Sequence, residues 1–315
     1  MRFRKIASAV AGAAALALVV SGCGNSGSAT ATSAGGAVSS AASSVASAAG
    51  SAAGSATSAA GTAAAGESQV LTNAEGGKVI VGVKFSQPGL SVKNPDGSFS
   101  GFDIDVAKYV AKELGVDEAN IEFKEANSAE REGLIERGEV DYIVASYSIT
   151  DTRKEKVNFA GPYFIAHQDL LVKADDTEIT GPEAMAGKIL CSVTGSTSAQ
   201  KVKDNYAADV ALQEYATYGE CVEALKSGAV DAVTTDDVIL AGFAAQSPGE
   251  LKLVGKGFSD ENYGIGLKKG DTAGTSAINA AIAKMIADGS WKTALETNVG
   301  PSGYTIPAPP TPPSS

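Results

Sequence analysis

The fold is indicated by one short stretch, Gly101-Phe102-Asp103-Ile104-Asp105-Val106, in which a turn leads into a helix. Gly101 suits the turn, and Asp103 is a plausible N-cap for the helix that follows. The apolar residues after it recur at helical spacing and fall on one face: Val106, Ala107, Val110, Ala111 and Leu114. The stretch therefore predicts an amphipathic helix that begins at Asp103 and packs against a core.

Apolar runs of strand length alternate with helical segments on both sides of this stretch. Val79 to Val83 predicts a strand, followed by a turn at Asn94-Pro95-Asp96-Gly97. Ser128 is a candidate cap for a second helix that ends near Gly138, and a strand returns at Tyr142 to Ala145. This order predicts an α/β fold with mainly parallel sheets.

The same rhythm restarts after Gln168. Strands are predicted at Ile189 to Val193, Ala211 to Tyr215 and Ala232 to Thr235, and helices after Thr197, from Tyr218 to Ser227 and from Val238. Two series of similar size suggest two lobes. In open sheets of this class, ligands bind at the carboxyl ends of the strands.

The N-terminus has the pattern of an export signal. A basic start precedes an apolar run from Ile6 to Val20, which is short for a membrane-spanning helix of roughly 20 apolar residues. The run ends at Val20-Ser21-Gly22-Cys23, which resembles the lipobox of bacterial lipoproteins. The resemblance implies removal of residues 1–22 and a diacylglycerol on Cys23 that anchors the protein to the outer face of the cell membrane. An ordinary signal peptide that contains a cysteine is the alternative.

Two segments have compositions that oppose folding. Residues 24–66 are almost entirely Ala, Gly, Ser and Thr, without any charge, so residues 23–72 are interpreted as the lipidated cysteine and a disordered tether. The end of the chain, residues 305–315, is rich in proline and is expected to lie outside the globular part. The folded body is thereby predicted to span roughly residues 73–304.

Charge argues against nucleic acid as a partner. The formal net charge is -11 at pH 7 and becomes -14 once Arg2, Arg4 and Lys5 are removed with the signal. An acidic body of this kind lacks the basic face that nucleic-acid binding requires. An acidic small ligand would need a local basic pocket.

Histidine and cysteine counts exclude further chemistry. His167 is the single histidine, so histidine-rich zinc sites and Ser-His-Asp triads are nearly excluded, and neither a metal nor a cofactor is expected. Cys191 and Cys221 are an even pair besides Cys23, which in an exported protein is typical of a disulfide. A two-thiol metal site is the alternative.

Four motifs, in order along the chain, resemble the polar-amino-acid solute-binding proteins of ABC transporters (family 3). They are Gly101–Val106, Ser146–Arg153 followed by Phe159, Pro162 and Tyr163, then Val193–Thr197, and Val230–Val233 leading to Asp236. The likeness extends from about Val79 to Tyr304. Glutamate-binding lipoproteins of actinobacterial importers also share Phe85, Gln87-Pro88-Gly89-Leu90 and the Cys191/Cys221 pair, but they often carry aspartate where this chain has Ser86.

The resemblance implies a two-lobed, periplasmic-binding-protein-like fold of the Venus-flytrap type (type II). Lobe 1 would hold residues 73–168 and 262–304, and lobe 2 residues 169–261. The chain would cross between the lobes near Leu171-Val172 and again near Asp260 to Tyr263.

The resemblance also implies how the backbone carboxylate of an amino acid would be held. Arg153 would take it in a bidentate fork that lysine cannot reproduce. The amides of Ser196 and Thr197 lie where a strand gives way to a helix, which is a natural anion site. The alternative for Arg153 is a solvated charge beside Lys154 and Lys156.

The ammonium, which the ligand carries on the same carbon, would be taken by Asp236, assisted by hydroxyls or carbonyls of Ser146 and Ser148. The alternative for Asp236 is a helix N-cap, for which Asp237 is the better candidate. Tyr218 begins a helix of lobe 2 and either lines the cleft or simply packs in the core.

Relatives that bind acidic amino acids resemble this chain at two further places. One is a basic residue after the first strand, here Lys84, and the other is a Ser-x-x-Arg sequence, here Ser128 and Arg131. These cations would face the side-chain carboxylate of glutamate or aspartate. The alternative for Arg131 is a pair with Glu130 or Glu132 on an exposed helix.

The function expected from this resemblance is capture of glutamate or aspartate outside the cell and delivery to an ABC permease, by a monomer without enzymatic activity. Binding of glutamine or asparagine is one alternative. An amino-acid sensor for a membrane kinase is another and would have the same ligand chemistry. Some dehydratases of prephenate-like substrates and domains of lytic transglycosylases borrow the fold, but only Asp236 is available here as a general acid.

Overall fold

The computed structural model describes residues 68–311. The predicted signal peptide, Cys23 and most of the predicted tether lie outside this range. The helices are α1 (Gln69–Glu75), α2 (Phe102–Glu113), α3 (Arg131–Glu136), α4 (Asp151–Lys154), α5 (Ser198–Asn205), α6 (Tyr218–Ser227), α7 (Asp237–Gln246), α8 (Thr272–Ala287) and α9 (Ser290–Asn298). The strands are β1 (Val79–Val83), β2 (Ser86–Gln87), β3 (Ser91–Lys93), β4 (Phe99–Ser100), β5 (Ile121–Glu125), β6 (Tyr142–Ile143), β7 (Val157–Lys173), β8 (Ile189–Val193), β9 (Ala211–Tyr215), β10 (Ala232–Asp236), β11 (Leu251–Leu253) and β12 (Asp260–Lys268).

Lobe 1 is built on a sheet with strand order β5-β1-β6-β12-β7. β1 pairs in parallel with β5 and β6, whereas β12 runs antiparallel to β6 and β7. A small antiparallel sheet, β2-β3-β4, lies beside it. The expectation of mainly parallel sheets is therefore only half right, because the strands that return between the lobes add antiparallel pairs.

Lobe 2 is built on a sheet with strand order β7-β10-β8-β9, and β11 pairs with β7. β8 is parallel to β9 and β10, and β10 and β11 are antiparallel to β7. A disulfide between Cys191 on β8 and Cys221 on α6 ties a helix of this lobe to its sheet, with the two Cα atoms 5.7 Å apart.

The long strand β7 belongs to both lobes. Its residues up to His167 pair with β12, and from Gln168 onward it pairs with β10. The first crossing therefore lies at His167 and Gln168, and the Leu171-Val172 segment expected there is instead inside the lobe 2 sheet. The second crossing comes just before β12, where the Gln168 amide donates to the Ser259 carbonyl at 2.9 Å.

The core of lobe 1 is aromatic. Trp291 on α9 packs edge-on against Phe102 of α2, and its indole N–H donates to the Tyr163 carbonyl at 2.7 Å. All three side chains are buried. Helix α2 buries four residues of the predicted face, Val106, Ala107, Val110 and Ala111, and Leu114 at its C-cap is half-buried.

The folded body begins earlier than residue 73. Ser68 caps α1 and donates to Asp271 at 2.8 Å, and Val70 is fully buried. Residues 68–72, expected in the tether, therefore belong to lobe 1. The tether composition gives way to ordinary sequence just before this helix, which explains the early start.

The segment after α9 returns towards lobe 2. The Tyr304 hydroxyl donates to Asp237 at the start of α7 at 3.1 Å, and Pro310 is buried. The described part of the proline-rich end, residues 305–311, thus lies against the body. Proline in an extended segment packs without needing a backbone donor.

Candidate ligand-binding cleft

A nearly filled cavity of about 20 Å³ lies where the two lobes face each other. All ten predicted ligand-binding residues line it: Lys84, Ser128, Arg131, Ser146, Ser148, Arg153, Ser196, Thr197, Tyr218 and Asp236. Five residues that the sequence did not single out complete the lining: Gln87, Ala145, Ser198, Thr235 and Ile239. The structure therefore brings every predicted ligand-binding residue to one place.

The strands explain this convergence. Lys84 directly follows β1, Asp236 is the last residue of β10, and the loop that holds Ser196 follows β8. The carboxyl ends of parallel strands meet at one edge of a sheet. Each lobe therefore presents its loop residues to the same gap.

Lys84 and Ser128 form one corner of the cavity. The Lys84 ammonium donates to the Ser128 hydroxyl at 2.9 Å. Ser128 does not cap α3, whose N-cap position is Glu130, because its side chain is engaged by the lysine. Burial lowers the pKa of Lys84 well below its usual value, and the nearby Arg131 guanidinium lowers it further.

Arg131 is buried beside this corner. Its guanidinium carbon lies 3.9 Å from the centre of the Tyr147 ring, and one of its amino groups donates to the Ala145 carbonyl at 3.1 Å. Its Nε has no hydrogen-bond partner within residues 68–311. Burial lowers the pKa of Arg131 to about 10, and the nearby Arg153 adds to this effect.

The alternative expected for Arg131, a pair with a glutamate on an exposed helix, does not occur. Glu132 instead lies 3.5 Å from Nε of Arg153 and accepts a hydrogen bond from the Tyr147 hydroxyl at 2.7 Å. Among the residues described, no carboxylate forms an ion pair with Lys84 or Arg131. These are two buried cations without a protein counter-charge.

Arg153 reaches across the gap from the short helix α4. Its two terminal amino groups donate to the Ser148 carbonyl at 2.9 Å and to the Gly195 carbonyl of lobe 2 at 3.1 Å. It is 7% exposed, which excludes the solvated charge beside Lys154. The guanidinium is thus fixed where the lobes meet.

Asp103 fixes Ser146. The N-cap position of α2 is Gly101, and the carboxylate of Asp103 instead accepts from the Ser146 amide at 2.8 Å and from its hydroxyl at 2.9 Å. The Tyr163 hydroxyl donates to the other carboxylate oxygen at 2.8 Å. Burial raises the pKa of Asp103 to about 6. The predicted cap is therefore wrong, and the carboxylate holds the cleft residue.

Ser146 is unusual because its φ of 47° lies in the left-handed region, alone among the non-glycine residues described. Its amide and hydroxyl protons both point to Asp103. The hydroxyl oxygen also accepts from the Gln87 amide at 3.4 Å. What Ser146 can offer a ligand is therefore an acceptor, which suits an ammonium group.

Asp236 stands at the N-cap position of α7, but its side chain does not cap the helix. Its carboxylate accepts a hydrogen bond of 2.5 Å from the Tyr263 hydroxyl. Burial raises the pKa of Asp236 to about 7, and the nearby Glu261 carboxylate raises it further. Asp237 is the residue that accepts amide protons, from Val238 and from His167. Asp236 is thus free to face the cavity.

The lobe 2 loop supplies neutral groups. The Ser196 amide is already bonded to the Val193 carbonyl at 2.9 Å, so only the neighbouring Thr197 amide is left without an acceptor within residues 68–311. The expectation that both amides receive an anion is wrong for Ser196. Tyr218 lines the cavity, and its hydroxyl bonds to the Ser196 hydroxyl at 3.1 Å. Burial raises the pKa of Tyr218.

Several residues that hold the site were missed from the sequence. Asp103 was interpreted as a cap, Glu132 as an alternative partner of Arg131, and Tyr263 only as part of a crossing segment. Gln87 was noted only as shared with relatives. The local signals were present, since Asp103 stands in the opening motif and Glu132 follows Arg131, but their partners are distant in sequence.

Two α/β lobes, joined by crossing strands and closed over a cavity rich in buried charge, define a protein that encloses a small charged molecule. Comparison with known families agrees with this class. Residues 79–301 match the bacterial extracellular solute-binding proteins, family 3, and the chain belongs to that family.

Relatives are themselves binding proteins. The chain is 51% identical over 252 residues to the glutamate-binding protein GluB of Corynebacterium glutamicum, covering 77% of this chain and 85% of that protein. It is 41% identical over 215 residues to the glutamine-binding protein GlnH of Bacillus subtilis, covering 68% of this chain and 78% of that protein. The chain is therefore an amino-acid solute-binding protein.

Solved structures agree with the fold. An ancestral arginine-binding protein bound to glutamine is 37% identical, with a TM-score of 0.67 and coverage of 71% of this chain and 98% of that one. The cysteine-binding protein of Campylobacter jejuni is 26% identical, with a TM-score of 0.71 and coverage of 77% of this chain and 97% of that one.

One structural neighbour is described as the precursor of an enzyme. An ancestral amino-acid-binding protein, a precursor of cyclohexadienyl dehydratase, is 28% identical, with a TM-score of 0.67 and coverage of 74% and 100%. That neighbour is named for amino-acid binding, as are the relatives above. Separately, every helix within residues 68–311 is too short or too polar to span a bilayer.

Proposed function

We propose that this protein binds glutamate or aspartate outside the cell and delivers it to the permease of an ABC importer. The observation that carries the proposal is the pair of buried cations, Lys84 and Arg131, to which residues 68–311 offer no carboxylate. A buried charge without a partner is costly. A ligand with a second carboxylate would remove that cost.

The ligand backbone would be held at the meeting of the lobes. Arg153 and the free Thr197 amide are suited to the α-carboxylate. Asp236 is suited to the ammonium, with acceptor oxygens of Ser146 and Ser148 beside it. This half of the site would be common to all amino acids.

The ligand side chain would face Lys84, Ser128 and Arg131. Two opposite charges about 4 Å apart attract by about 4 kcal/mol at an effective dielectric near 20, before desolvation is subtracted. A carboxylate beside Lys84 would also raise the pKa of this lysine again, so that protonation and ligand binding support each other. Glutamine would offer neither effect.

Of the two relatives described above, the more similar one supports an acidic ligand. GluB, at 51% identity, is named for glutamate, and GlnH, at 41%, is named for glutamine. The distinction therefore depends on the residues of the cleft itself.

The test is Arg131→Met, titrated by calorimetry with glutamate and with glutamine. The methionine keeps much of the bulk and removes the charge. Glutamate should lose about 2–5 kcal/mol of binding free energy, the usual loss when one member of a buried charge pair is truncated. Glutamine should change far less, because its side chain carries no charge.

The matched control is Arg137→Met at the end of the same helix. Arg137 is an exposed residue whose side chain pairs with Glu139, so its removal should leave both affinities unchanged. An unchanged glutamate-to-glutamine preference in Arg131→Met would overturn the acidic pocket. Binding of glutamine or asparagine would then be the better proposal.

Attachment to the membrane is a second part of the proposal. The lipobox-like sequence ending at Cys23 supports a lipid anchor, and the family is an extracellular one. Cys23→Ala should therefore move the protein from the detergent phase to the aqueous phase in a partition experiment. Unchanged partition would count against the anchor.

A further inference from the structure

The lobes also meet outside the cavity, where helix α7 of lobe 2 touches the turn after β2 in lobe 1. Gly242 lies in the middle of α7, and the other residues from Val238 to Ala245 are all apolar. A Cβ atom at this position would lie 2.3 Å from the carbonyl oxygen of Pro88 and 3.1 Å from its carbonyl carbon. The contacted atoms are backbone, so no side-chain rotation can relieve the clash.

Nothing within lobe 2 requires a glycine at position 242. Its φ is not among the left-handed values, so the helix itself does not require it. Glycine inside a helix costs about 0.5–1 kcal/mol relative to alanine. The feature that excludes a side chain comes from the other lobe.

The contact belongs to the closed arrangement. The charged residues of the cavity are almost completely buried, for example Arg131 at 3% and Asp236 at 4% exposure. An amino acid reaches these side chains only after the lobes have moved apart. The contact between the Pro88 carbonyl and Gly242 must therefore form again each time that the lobes close over a ligand.

We infer that Gly242 is a closure residue, which sets the affinity for the amino acid by letting lobe 1 settle on α7. Gly242 does not line the cavity, although Ile239, one helical turn earlier, does. On the same face of α7, Ile239 thus lines the cavity and Gly242 contacts the opposite lobe. The inference rests on amino-acid binding in the cleft and is independent of which amino acid is bound.

A second glycine contact between the lobes is less suitable for a test. A Cβ on Gly195 would lie 2.6 Å from the Ala129 amide nitrogen. However, Gly195 has a φ of +78°, and its carbonyl bonds to Arg153. A side chain there would strain the loop and disturb the site directly, whereas Gly242 separates closure from ligand contact.

The experiment is Gly242→Ala in the complete protein, titrated with glutamate, aspartate, glutamine and asparagine beside the unaltered protein. We expect every ligand that binds the unaltered protein to bind at least about tenfold more weakly, which corresponds to about 1.4 kcal/mol. The ratios between ligands should stay unchanged, because no ligand contact is removed. The melting temperature without ligand should stay equal or rise, since alanine favours the helix.

The matched control is Gly219→Ala in helix α6 of the same lobe. A Cβ there would meet only the Thr217 hydroxyl oxygen, at 3.9 Å, so affinity should not change. Small-angle scattering adds a direct readout. The unaltered protein should contract when saturated with its ligand, and Gly242→Ala should contract less.

The possible outcomes separate clearly. Affinities of Gly242→Ala within about twofold of the unaltered protein would overturn the inference. A fall in melting temperature without ligand would also overturn it, because the glycine would then serve the fold of lobe 2. If the unaltered protein prefers glutamine, the acidic-ligand proposal fails. The closure inference is then tested by comparing the glutamine affinities of Gly242→Ala and the unaltered protein.

Discussion

The two lobes contribute opposite chemistry to the cleft. Lobe 1 supplies three buried cations, Lys84, Arg131 and Arg153, whereas lobe 2 supplies the Asp236 carboxylate, hydroxyl groups and one free amide. Neither set is complementary to an amino acid alone, because the ligand carries both signs of charge. The proposed binding site is therefore complete only when the two lobes are together.

The lobes also differ in how they hold their site residues. In lobe 1, side-chain contacts do so: Tyr147 lies under Arg131, and Asp103 holds Ser146. In lobe 2, a covalent bond ties α6, the helix that begins with Tyr218, to β8. The predictions below separate these contributions.

The largest effect is expected for the cation that touches both lobes. Arg153→Ala should abolish binding of every amino acid, with a loss of about 3–5 kcal/mol, because a buried carboxylate of the ligand would be left without its partner. Calorimetry measures this loss. Arg137→Ala, which removes an exposed arginine of the same lobe, is the control and should bind normally. Retained binding would show that lobe 1 does not hold the carboxylate through Arg153.

The next effect concerns the disulfide, which only lobe 2 contains among the residues described. Replacing both Cys191 and Cys221 by alanine should lower the free energy of unfolding by about 3 kcal/mol, because the unfolded chain gains the freedom of an open loop. The single tryptophan, Trp291, lies in lobe 1. Urea unfolding followed by tryptophan fluorescence should therefore shift less than unfolding followed by circular dichroism.

Two observations would contradict this prediction. Thiol counting on the denatured, unreduced protein should find neither Cys191 nor Cys221 free, and two free thiols would exclude the bond. Equal shifts of the fluorescence and circular-dichroism transitions would show that the lobes unfold as one unit. The comparison between the lobes would then not extend to their stability.

The smallest effect is a pH dependence that originates in lobe 2. Burial raises the pKa of Asp236 to about 7 in the free protein, and an ammonium group binds the ionised carboxylate. The contribution of Asp236 to affinity should therefore rise as the pH increases towards about 7, by at most tenfold per unit, and then level off. Calorimetry between pH 5 and pH 8 measures the slope. Asp236→Asn should bind more weakly at pH 8 and lose most of the slope.

The stability of the free protein should change in the opposite direction. The folded state binds a proton at Asp236 up to about pH 7, whereas the unfolded carboxyl releases it near pH 4. Stability from this group is therefore present below pH 4 and is lost as the pH rises through 7. Asp103 remains in both proteins, so its own raised pKa cancels in the comparison with Asp236→Asn.

Local signals predicted some elements well. Helix α6 begins and ends where the sequence placed it, because Thr217 and Glu220 form a capping box and Gly228 ends the helix in the left-handed conformation. Strands β8 and β9 also match their predicted bounds. In these elements the local preference and the tertiary structure agree.

Polar residues were harder to place. Asp103 and Ser128 have the right chemistry for caps, but their side chains bond to Ser146 and Lys84, which are distant in sequence. The first crossing was misplaced because Leu171-Val172 is apolar whether it lies in a hinge or in a sheet. The position of the crossing depends on which strands pair with β7, and these strands are distant in sequence.

The candidate site was predicted as a set rather than as a geometry. Motif resemblance named ten residues that the structure brings to one cavity. It did not show that Glu132 pairs with Arg153 and leaves Arg131 free, or that the Ser196 amide is already bonded. These details depend on which of several possible partners lies nearest to each group in the folded protein. A sequence pattern does not contain those distances.

The position of strand β12 has a consequence for the order of folding. It lies between β6 and β7 in the lobe 1 sheet, although it comes after all of lobe 2 in the chain. Lobe 2 contains its complete sheet by Leu253 and can form early from neighbouring segments, whereas lobe 1 must wait for Asp260–Lys268. Pairings between distant segments form slowly. During synthesis, the later lobe is therefore the one that exposes unpaired strand edges, and it is where we expect a folding helper to bind.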